Sequence, residues 1–167
     1  PMFRTWAAQR LARFNNEAAY DAIEAALKAP DVRVRRAGCD AISSYTNWGR
    51  RHSQVIPREV VSARFVPHLE KMLADPEAAW WEIDGALWAL EYALPDDIRR
   101  NMPTIRKYAV HDEWYLRESA YWAVVGLQEE IRSDEFLFLA DMFIHSRAVF
   151  ERSSFDGGIN SLLRANT

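Results

Sequence analysis

Two nine-residue stretches, VRRAGCDAI (residues 34–42) and LRESAYWAV (residues 116–124), decide the fold of this chain. Both read apolar–Arg–x–x–small–x–x–Ala–apolar, and an aspartate, Asp31 or Asp112, precedes each by a few residues. Similarity between two parts of one chain is the sequence signature of a repeat architecture. We therefore expect an array of repeats.

The spacing of the repeats predicts stacked pairs of helices. Apolar residues recur at helical spacing and period-2 alternation is scarce, so we expect an all-α chain. The predicted helix pairs start at Asp31, Pro76, Asp112 and Arg147. The resulting intervals of 45, 36 and 35 residues suit stacked helical hairpins.

Prolines and glycines fall between the periodic segments and set the ends of the predicted helices. These helices cover residues 3–14, 17–28, 32–48, a segment starting at 57, 78–93, a segment starting at 95, 113–131, 134–146 and 148–164. Pro67 and Pro103 should kink or break the helices that contain them, because proline lacks the backbone N–H. The pair Gly157-Gly158 should weaken the last helix.

This pattern resembles a HEAT-type helical repeat array from about Ala18 to Leu163. The resemblance implies a short right-handed α-solenoid of about four hairpins, with residues 2–167 in one domain. The Asp–Arg spacing is expected to tie successive turns together. The inner helices are expected to line the concave face. These helices should start near Val32, Ala78, Glu113 and Ala148.

Composition excludes several classes of protein. Of the 167 residues, 49% are hydrophobic and 27% are charged, which is typical of a folded globular chain. The single cysteine, Cys39, excludes an intrachain disulfide and a zinc site built on several thiolates. No apolar run approaches the ~20 residues that span a bilayer, and no signal peptide is visible. We therefore expect a cytoplasmic protein without a membrane partner.

Charge is unevenly distributed along the chain. Residues 1–75 carry 12 Lys and Arg against 8 Asp and Glu, whereas residues 76–167 carry 9 against 16. A protein that binds duplex DNA usually has a pronounced basic face, which only the first part could supply. The candidate basic patch consists of Arg33, Arg36, Arg50 and Arg51. It is either a solvated helix start and loop or a contact for an acidic protein surface or nucleic acid.

Aromatic residues form the most distinctive candidate site. Trp80, Trp81 and Trp88 share one predicted helix, where a second apolar stripe accompanies the ordinary core stripe. This stripe either packs on a neighbouring helix or forms an aromatic wall for a partner, since tryptophan, tyrosine and arginine are common interface anchors.

A second cluster lies on the predicted helix 113–131 and consists of Trp114, Arg117, Glu118 and Tyr121. Arg117 occupies the repeated arginine position. It either forms a structural Asp–Arg pair or faces a groove, where its guanidinium could hold a carboxylate or phosphate.

The segments AAWWEIDGALW, EWYLRESA and VFERSSFDGGINSLLR are similar to the HEAT-like alkylpurine DNA glycosylases. In that family a Trp-Trp-acidic segment supplies an aromatic wall and a catalytic aspartate, and a later Trp–x–x–Arg contacts DNA. The segment WWE (residues 80–82) matches the start of the first motif, and WYLR (residues 114–117) matches the second. Gly85 stands at the aspartate position, with Asp84 one residue earlier, about 100° around a helix. The family's third aromatic residue falls near Gly157 or Gly158.

Other catalytic patterns are missing from the sequence. His52, His68, His111 and His145 show no metal-binding spacing, and Ser153, Ser154 and Cys39 have no visible base. We therefore expect neither a metal nor a cofactor.

The favoured hypothesis is a non-catalytic protein-binding module, such as an adaptor, an inhibitor or a toxin-immunity protein, with an unidentified protein partner. The expected binding residues are Trp80, Trp81, Asp84, Trp88, Trp114, Arg117, Glu118 and Tyr121. The alternative is a DNA glycosylase of alkylated bases, with Asp84 as the catalytic residue, or its inactive DNA-binding relative. A third hypothesis is a structural subunit with buried tryptophans.

Overall fold

The structure is a computed structural model and describes residues 14–43, 56–147 and 149–165. This part of the chain is helical and contains no strand. Its helices are α1 (Glu17–Leu27), α2 (Val32–Ser43), α3 (Arg58–Val60), a π-helical segment (Val61–Phe65), α4 (Val66–Ala74), α5 (Trp80–Leu90), α6 (Pro95–Arg100), α7 (Met102–Ala109), α8 (Trp114–Val125), a 3-10 helix (Gln128–Glu130), α9 (Ser133–Ile144) and α10 (Val149–Ala165).

Within the described ranges, the helices pair into four successive hairpins. Helix α1 packs on α2, α4 on α5, α7 on α8, and α9 on α10. The second helices of these hairpins also pack side by side in the order α2, α5, α8, α10. We call α2, α5, α8 and α10 the second-helix row. The prediction of an all-α solenoid of about four helical hairpins is confirmed.

The starts of the second helices agree closely with the sequence pattern. The structure begins them at Val32, Trp80, Trp114 and Val149. Local signals account for this agreement, since each helix follows a short polar loop and continues with apolar residues at helical spacing. At the first helix of the described chain, Asn16 caps α1 by accepting a 3.0 Å hydrogen bond from the Ala19 N–H.

One buried apolar cluster runs through the hairpins, from Tyr20 on α1 to Leu162 on α10. Small residues allow close helix contacts within it. A Cβ on Gly38 would lie 2.9 Å from Cδ2 of Leu27, so glycine at this position lets α2 approach α1. Removal of these apolar side chains from water is the main contribution to the stability of such an array.

The two internal prolines have different effects. Helical hydrogen bonding passes from α3 through the π-helical segment into α4, where Pro67 is the second residue. The chain does not break at Pro67, but the helix changes from π to α geometry directly before this residue, which lacks an N–H. Pro103 behaves as predicted, since α6 ends at Arg100 and Pro103 is the second residue of α7.

One other helix prediction needs correction. The seventh predicted helix, residues 113–131, ends at Val125, and a 3-10 turn follows. A Cβ on Gly126 would lie 2.3 Å from the carbonyl oxygen of Glu91, and Arg58 donates to the Gly126 carbonyl, so the chain turns here against the preceding hairpin. The last helix continues through Gly157-Gly158, and the predicted weakening of its stability by these glycines stays a prediction.

Some predictions fall outside the described residues. They are the first helix, residues 3–14, except Phe14, which is not helical, and the end of the third helix after Ser43. Arg50 and Arg51 of the candidate basic patch also lie there.

Candidate partner-binding surface

Arg117, the second arginine of the repeated pattern, joins two neighbouring second helices. Its Nε donates to Oε1 of Glu151 on α10 at 2.5 Å. Its Nη1 donates to the backbone carbonyls of His111 and Asp112 at 2.5 and 2.7 Å. Both charged side chains are buried. The structure therefore places Arg117 in the interior, where its guanidinium is already engaged, and not on an open groove.

Arg35 repeats this arrangement one pair of hairpins earlier. It donates through Nε and Nη2 to both carboxylate oxygens of Glu82 on α5, and through Nη1 to the carbonyls of Ala29 and Pro30 at 2.9 and 3.0 Å. The expected Asp–Arg tie is thus replaced by an Arg–Glu pair, because the long guanidinium side chain reaches across to the next helix. We call the pairs Arg35–Glu82 and Arg117–Glu151 the Arg–Glu ladder.

Arg36 and Asp84 form a second link between α2 and α5. Nη1 of Arg36 donates to Oδ2 of Asp84 at 2.7 Å and to the carbonyl of Trp81, and its Nε donates to Oδ1 of Asp40 at 2.7 Å. Burial raises the pKa of Asp84, while the charge of Arg36 opposes this shift. Gly85 leaves room for the arginine, since a Cβ there would lie 2.5 Å from Cδ of Arg36.

This link bears on the glycosylase resemblance. The position where that family carries its aspartate, Gly85, is covered by the Arg36 side chain. Asp84 is buried and paired with the same arginine. Neither position offers a free carboxylate beside an open cleft.

Trp88 and Trp122 stack across the α5–α8 contact, with ring centroids 5.8 Å apart and an interplanar angle of 20°. Both are half-buried, and Nε1 of Trp122 donates to Oγ of Ser154 on α10 at 2.8 Å. Tyr121 points the other way into the core, where it stacks on Phe155 at 4.2 Å and donates to the Phe155 carbonyl at 2.5 Å. Tyr121 is therefore removed from the predicted binding surface.

Glu118 lies one helical turn before Trp122 and is half-buried. Burial raises the pKa of its carboxyl group, and the negative charges of Asp84 and Glu151 act in the same direction. A hydrogen bond with Ser154 partly offsets this shift. The surroundings of Glu118 thus disfavour the negatively charged form of its carboxyl group.

These residues share one surface, on the side of the second-helix row opposite the first helices of the hairpins. Trp81, Asp84 and Trp88 lie at i, i+3 and i+7 along one side of α5. Ile83, Leu87 and Leu90 lie on the other side of this helix and belong to the buried apolar cluster. We call this surface the outward face; it consists of Arg36, Asp40, Trp81, Asp84, Trp88, Glu118, Trp122 and Ser154. It carries three carboxylates against one guanidinium.

The remaining predicted tryptophans lie at the edge where the second helices begin. Trp80 is 53% exposed and Trp114 is 42% exposed. Tyr115 lies between them, with ring centroids 4.2 Å from Trp80 and 5.8 Å from Trp114. Phe150 on α10 continues the row, 6.4 Å from Trp114, and is 77% exposed. We call Trp80, Trp114, Tyr115 and Phe150 the aromatic edge.

The described part of the candidate basic patch does not form a free cationic surface. Arg33 is exposed and pairs with Asp31 at 2.8 Å. Arg36 is held between two carboxylates, as described above. Because each charge has a nearby counter-charge, these two arginines offer little attraction to phosphate.

Two other kinds of site are absent from residues 14–43, 56–147 and 149–165. No helix there is long and apolar enough to cross a membrane. No group of His, Cys, Asp and Glu side chains in the same ranges has the arrangement of a metal site.

Sequence reasoning missed several residues of the Arg–Glu ladder, the outward face and the aromatic edge. Glu82 and Glu151 are the third residues of α5 and α10, in WWE and VFE, so a glutamate after two apolar residues is the signal that could have revealed them. Trp122 and Tyr115 were visible as aromatic neighbours of the predicted cluster. Arg36 was assigned to the basic patch, because its partner Asp84 is 48 residues away in sequence.

Comparisons with known proteins support the fold. No protein-family model and no curated protein matches the sequence. Among solved structures, the chain is similar to a designed armadillo repeat protein in complex with the peptide (KR)4, with a TM-score of 0.60 and 14% identity over 98% of this chain and 74% of that chain. It is also similar to an engineered protein, with a TM-score of 0.57 and 12% identity over 89% of this chain and 64% of that chain. These similarities define a helical repeat protein.

Proposed function

We propose that the protein is a non-catalytic protein-binding module whose outward face holds an extended, cationic segment of a partner chain. The observation that carries this proposal is the Glu118 carboxylate one helical turn before Trp122, whose ring stacks on Trp88; Asp40 and Asp84, both paired with Arg36, add negative charge to the same face. Carboxylates attract lysine and arginine side chains, and tryptophan faces bind the same cations through cation–π contacts.

The state of Glu118 supports a cationic ligand. Its pKa is raised by burial and by neighbouring negative charge. A bound ammonium or guanidinium group would be attracted by this negative charge, whereas an anionic ligand would be repelled by it.

The architecture supports an extended ligand. Helices stacked side by side present equivalent positions at regular spacing, which is how repeat proteins build long binding surfaces. The designed armadillo repeat protein of similar fold is in complex with (KR)4, a peptide of alternating lysine and arginine. An adaptor, an inhibitor or a toxin-immunity protein would each use such a surface.

The glycosylase alternative receives no comparable support. The carboxylates of the outward face would repel a phosphate backbone, and the Arg36–Asp84 pair leaves no free carboxylate to stabilise charge on a sugar.

The test is a calorimetric titration with the (KR)4 peptide, with an alternating Glu-Asp peptide as the charge-reversed control. The wild type is expected to bind (KR)4 and not the acidic peptide. Trp88→Ala and Glu118→Gln should each weaken binding by about tenfold or more, which corresponds to ~1.4 kcal/mol. Leu137→Ala, an exposed residue on α9, is the matched control and should bind as the wild type does.

Two results would refute the proposal. One is equal affinity of the wild type and both outward-face variants for (KR)4. The other is binding of a duplex oligonucleotide with a strong salt dependence, which would restore the nucleic-acid hypothesis.

A further inference from the structure

We propose that the outward face contains a guanidinium subsite for an arginine of the partner chain, and that Arg36 of the protein itself fills this subsite and competes with the partner. The subsite consists of Asp40, Asp84 and the backbone carbonyl of Trp81, and Gly85 leaves the space for the side chain. The inference rests on the proposed function and deepens it, because it names one side chain of the ligand and a residue that weakens its binding.

The contacts of Arg36 define what the guanidinium subsite recognises. Its Nε donates to Oδ1 of Asp40 at 2.7 Å, and its Nη1 donates to Oδ2 of Asp84 at 2.7 Å. Nη1 also donates to the carbonyl oxygen of Trp81. Two carboxylates and one carbonyl oxygen thus accept from a single planar group, an arrangement that suits the fork of arginine better than the point charge of lysine. The protein therefore carries a bound guanidinium on the face that we propose for a cationic ligand.

The Arg–Glu ladder does not require an arginine at the position of Arg36. Arg35 and Arg117 are the fourth residues of α2 and α8, and both hold a glutamate of the next helix in the ladder. The fifth residue is Arg36 on α2 but Glu118 on α8, so the charge changes sign while the ladder contact is kept. Stacking of the second helices through the ladder is thus compatible with either charge at this position.

Gly85 is a second feature of the guanidinium subsite. A Cβ there would lie 2.5 Å from Cδ of Arg36, so a larger residue would collide with the arginine side chain. Gly85 is the sixth residue of α5, and the sixth residue of α8 is Ser119, so the second helices accept a larger residue at this position. Glycine inside a helix disfavours folding. The space that the guanidinium side chain needs accounts for a glycine here.

The guanidinium subsite is open to a competing cation. The side chains of Arg36 and Asp40 are 26% and 25% exposed, so solvent reaches both partners of this pair. Trp88 lies one helical turn after Asp84 on α5, so a peptide that contacts the Trp88 ring brings its next side chains to the subsite. Because Arg36 neutralises carboxylates of the outward face, it lowers the attraction of this face for a cationic ligand.

The test compares binding of (KR)4 by the wild type, Arg36→Ala and Arg36→Gln in calorimetric titrations. Arg36→Gln keeps an amide donor beside Asp84, so it provides a folded variant if Arg36→Ala loses its structure. Both variants should bind the peptide about tenfold or more tightly than the wild type, because the peptide gains at least one hydrogen bond to a charged group. Arg33→Ala is the matched control: it removes the same charge from α2, but Arg33 pairs with Asp31 outside the outward face, and the affinity should stay unchanged.

Ethylguanidinium probes the guanidinium subsite directly. At a concentration too low to denature the wild type, it should raise the thermal midpoint of Arg36→Ala, because it binds the vacated carboxylates of the folded state. It should also weaken binding of (KR)4 by this variant through competition. Sodium chloride at the same ionic strength is the control for screening. The wild type, in which Arg36 fills the subsite, should show neither effect.

Two outcomes would overturn the inference. Unchanged or weaker binding of (KR)4 by both Arg36 variants would mean that Arg36 has only a structural role. Equally tightened binding by Arg33→Ala would mean that net charge alone sets the affinity. In both cases the proposed function stands if Trp88→Ala still weakens binding of (KR)4, whereas absence of binding by the wild type and by every variant would refute both proposals.

Discussion

Arg117 on α8 donates a 2.5 Å hydrogen bond from Nε to Oε1 of Glu151 on α10, and their side chains are 10% and 0% exposed. The pair joins two hairpins through charges that water does not reach. Removing one partner of a buried pair is costly, because the other charge remains in a medium that solvates it poorly.

Replacing Arg117 by methionine should therefore destabilise the fold by about 3–5 kcal/mol. Arg33→Met is the matched control, since Arg33 makes an exposed pair with Asp31 and such pairs contribute about 0–1 kcal/mol. The free energy of unfolding would be measured by urea denaturation with circular dichroism. Equal losses in both variants would show that the ladder is not a structural element.

Two adjacent glycines should respond to alanine with opposite signs. A Cβ on Gly158 would lie 2.4 Å from Cε1 of Tyr121, so Gly158→Ala should cost about 1–3 kcal/mol through overpacking. Gly157 is half-buried in the same helix, and Gly157→Ala should stabilise α10 by up to about 1 kcal/mol through helix propensity. Thermal denaturation of both variants checks the prediction; stabilisation by Gly158→Ala would contradict the close packing on Tyr121.

The stability of Glu118→Gln relative to the wild type should depend on pH. Burial raises the pKa of Glu118 above its ordinary value of 4.5. A carboxyl group with a raised pKa stabilises the fold fully below that ordinary value, and this contribution is lost as pH rises through the folded-state pKa. Glu118→Gln should thus be the more stable protein at pH 7, with the advantage disappearing near pH 4.

Glu24→Gln provides the control with the opposite sign. Hydrogen bonds from Lys28, the larger effect, and from Arg64 lower the pKa of Glu24 to about 2. The ionised Glu24 side chain therefore stabilises the fold above about pH 4.5, and this contribution is lost as the pH falls through about 2. Urea denaturation across this pH range should show Glu24→Gln losing stability at pH 7. If both substitutions changed the free energy of unfolding at pH 7 in the same direction, the opposite pKa shifts of Glu118 and Glu24 would be contradicted.

Cys39 should be chemically inert in the folded protein. It is fully buried, with its Sγ 3.8 Å from Sδ of Met72, and burial raises the pKa of the thiol. Because the thiolate is the reactive form, iodoacetamide should not modify the native chain at pH 8, whereas urea should release the single thiol for reaction. Rapid modification without urea would mean that α2 opens readily.

The helices were predictable because their signals are local. The repeated stretches, the polar loops before each second helix and the helix-breaking Pro103 all act within a few residues, and the second helices begin within two residues of the predicted starts. The exception is Pro67, which follows a π-helical segment that no local residue pattern predicted.

The surface was less predictable because its contacts connect distant residues. Arg35 and Glu82 are separated by 47 positions, and Arg117 and Glu151 by 34. The sequence identified the arginines but not their acceptors, so Arg117 remained a candidate for partner binding. Likewise, the spacing of Tyr121 could not show whether its ring faced the outside or the core.

The Arg–Glu ladder also implies a rule for how such an array can be lengthened or shortened. The arginine is the fourth residue of α2 and α8, whereas the glutamate is the third residue of α5 and α10. Hairpins that supply the arginine therefore alternate with hairpins that supply the glutamate. We call them donor and acceptor hairpins, and each contributes one residue of an Arg–Glu pair. Deleting one hairpin would leave one charge of a pair without its partner, while deleting a donor together with its acceptor would leave every remaining bond complete. Insertion or loss of two hairpins should thus cost less stability than insertion or loss of one.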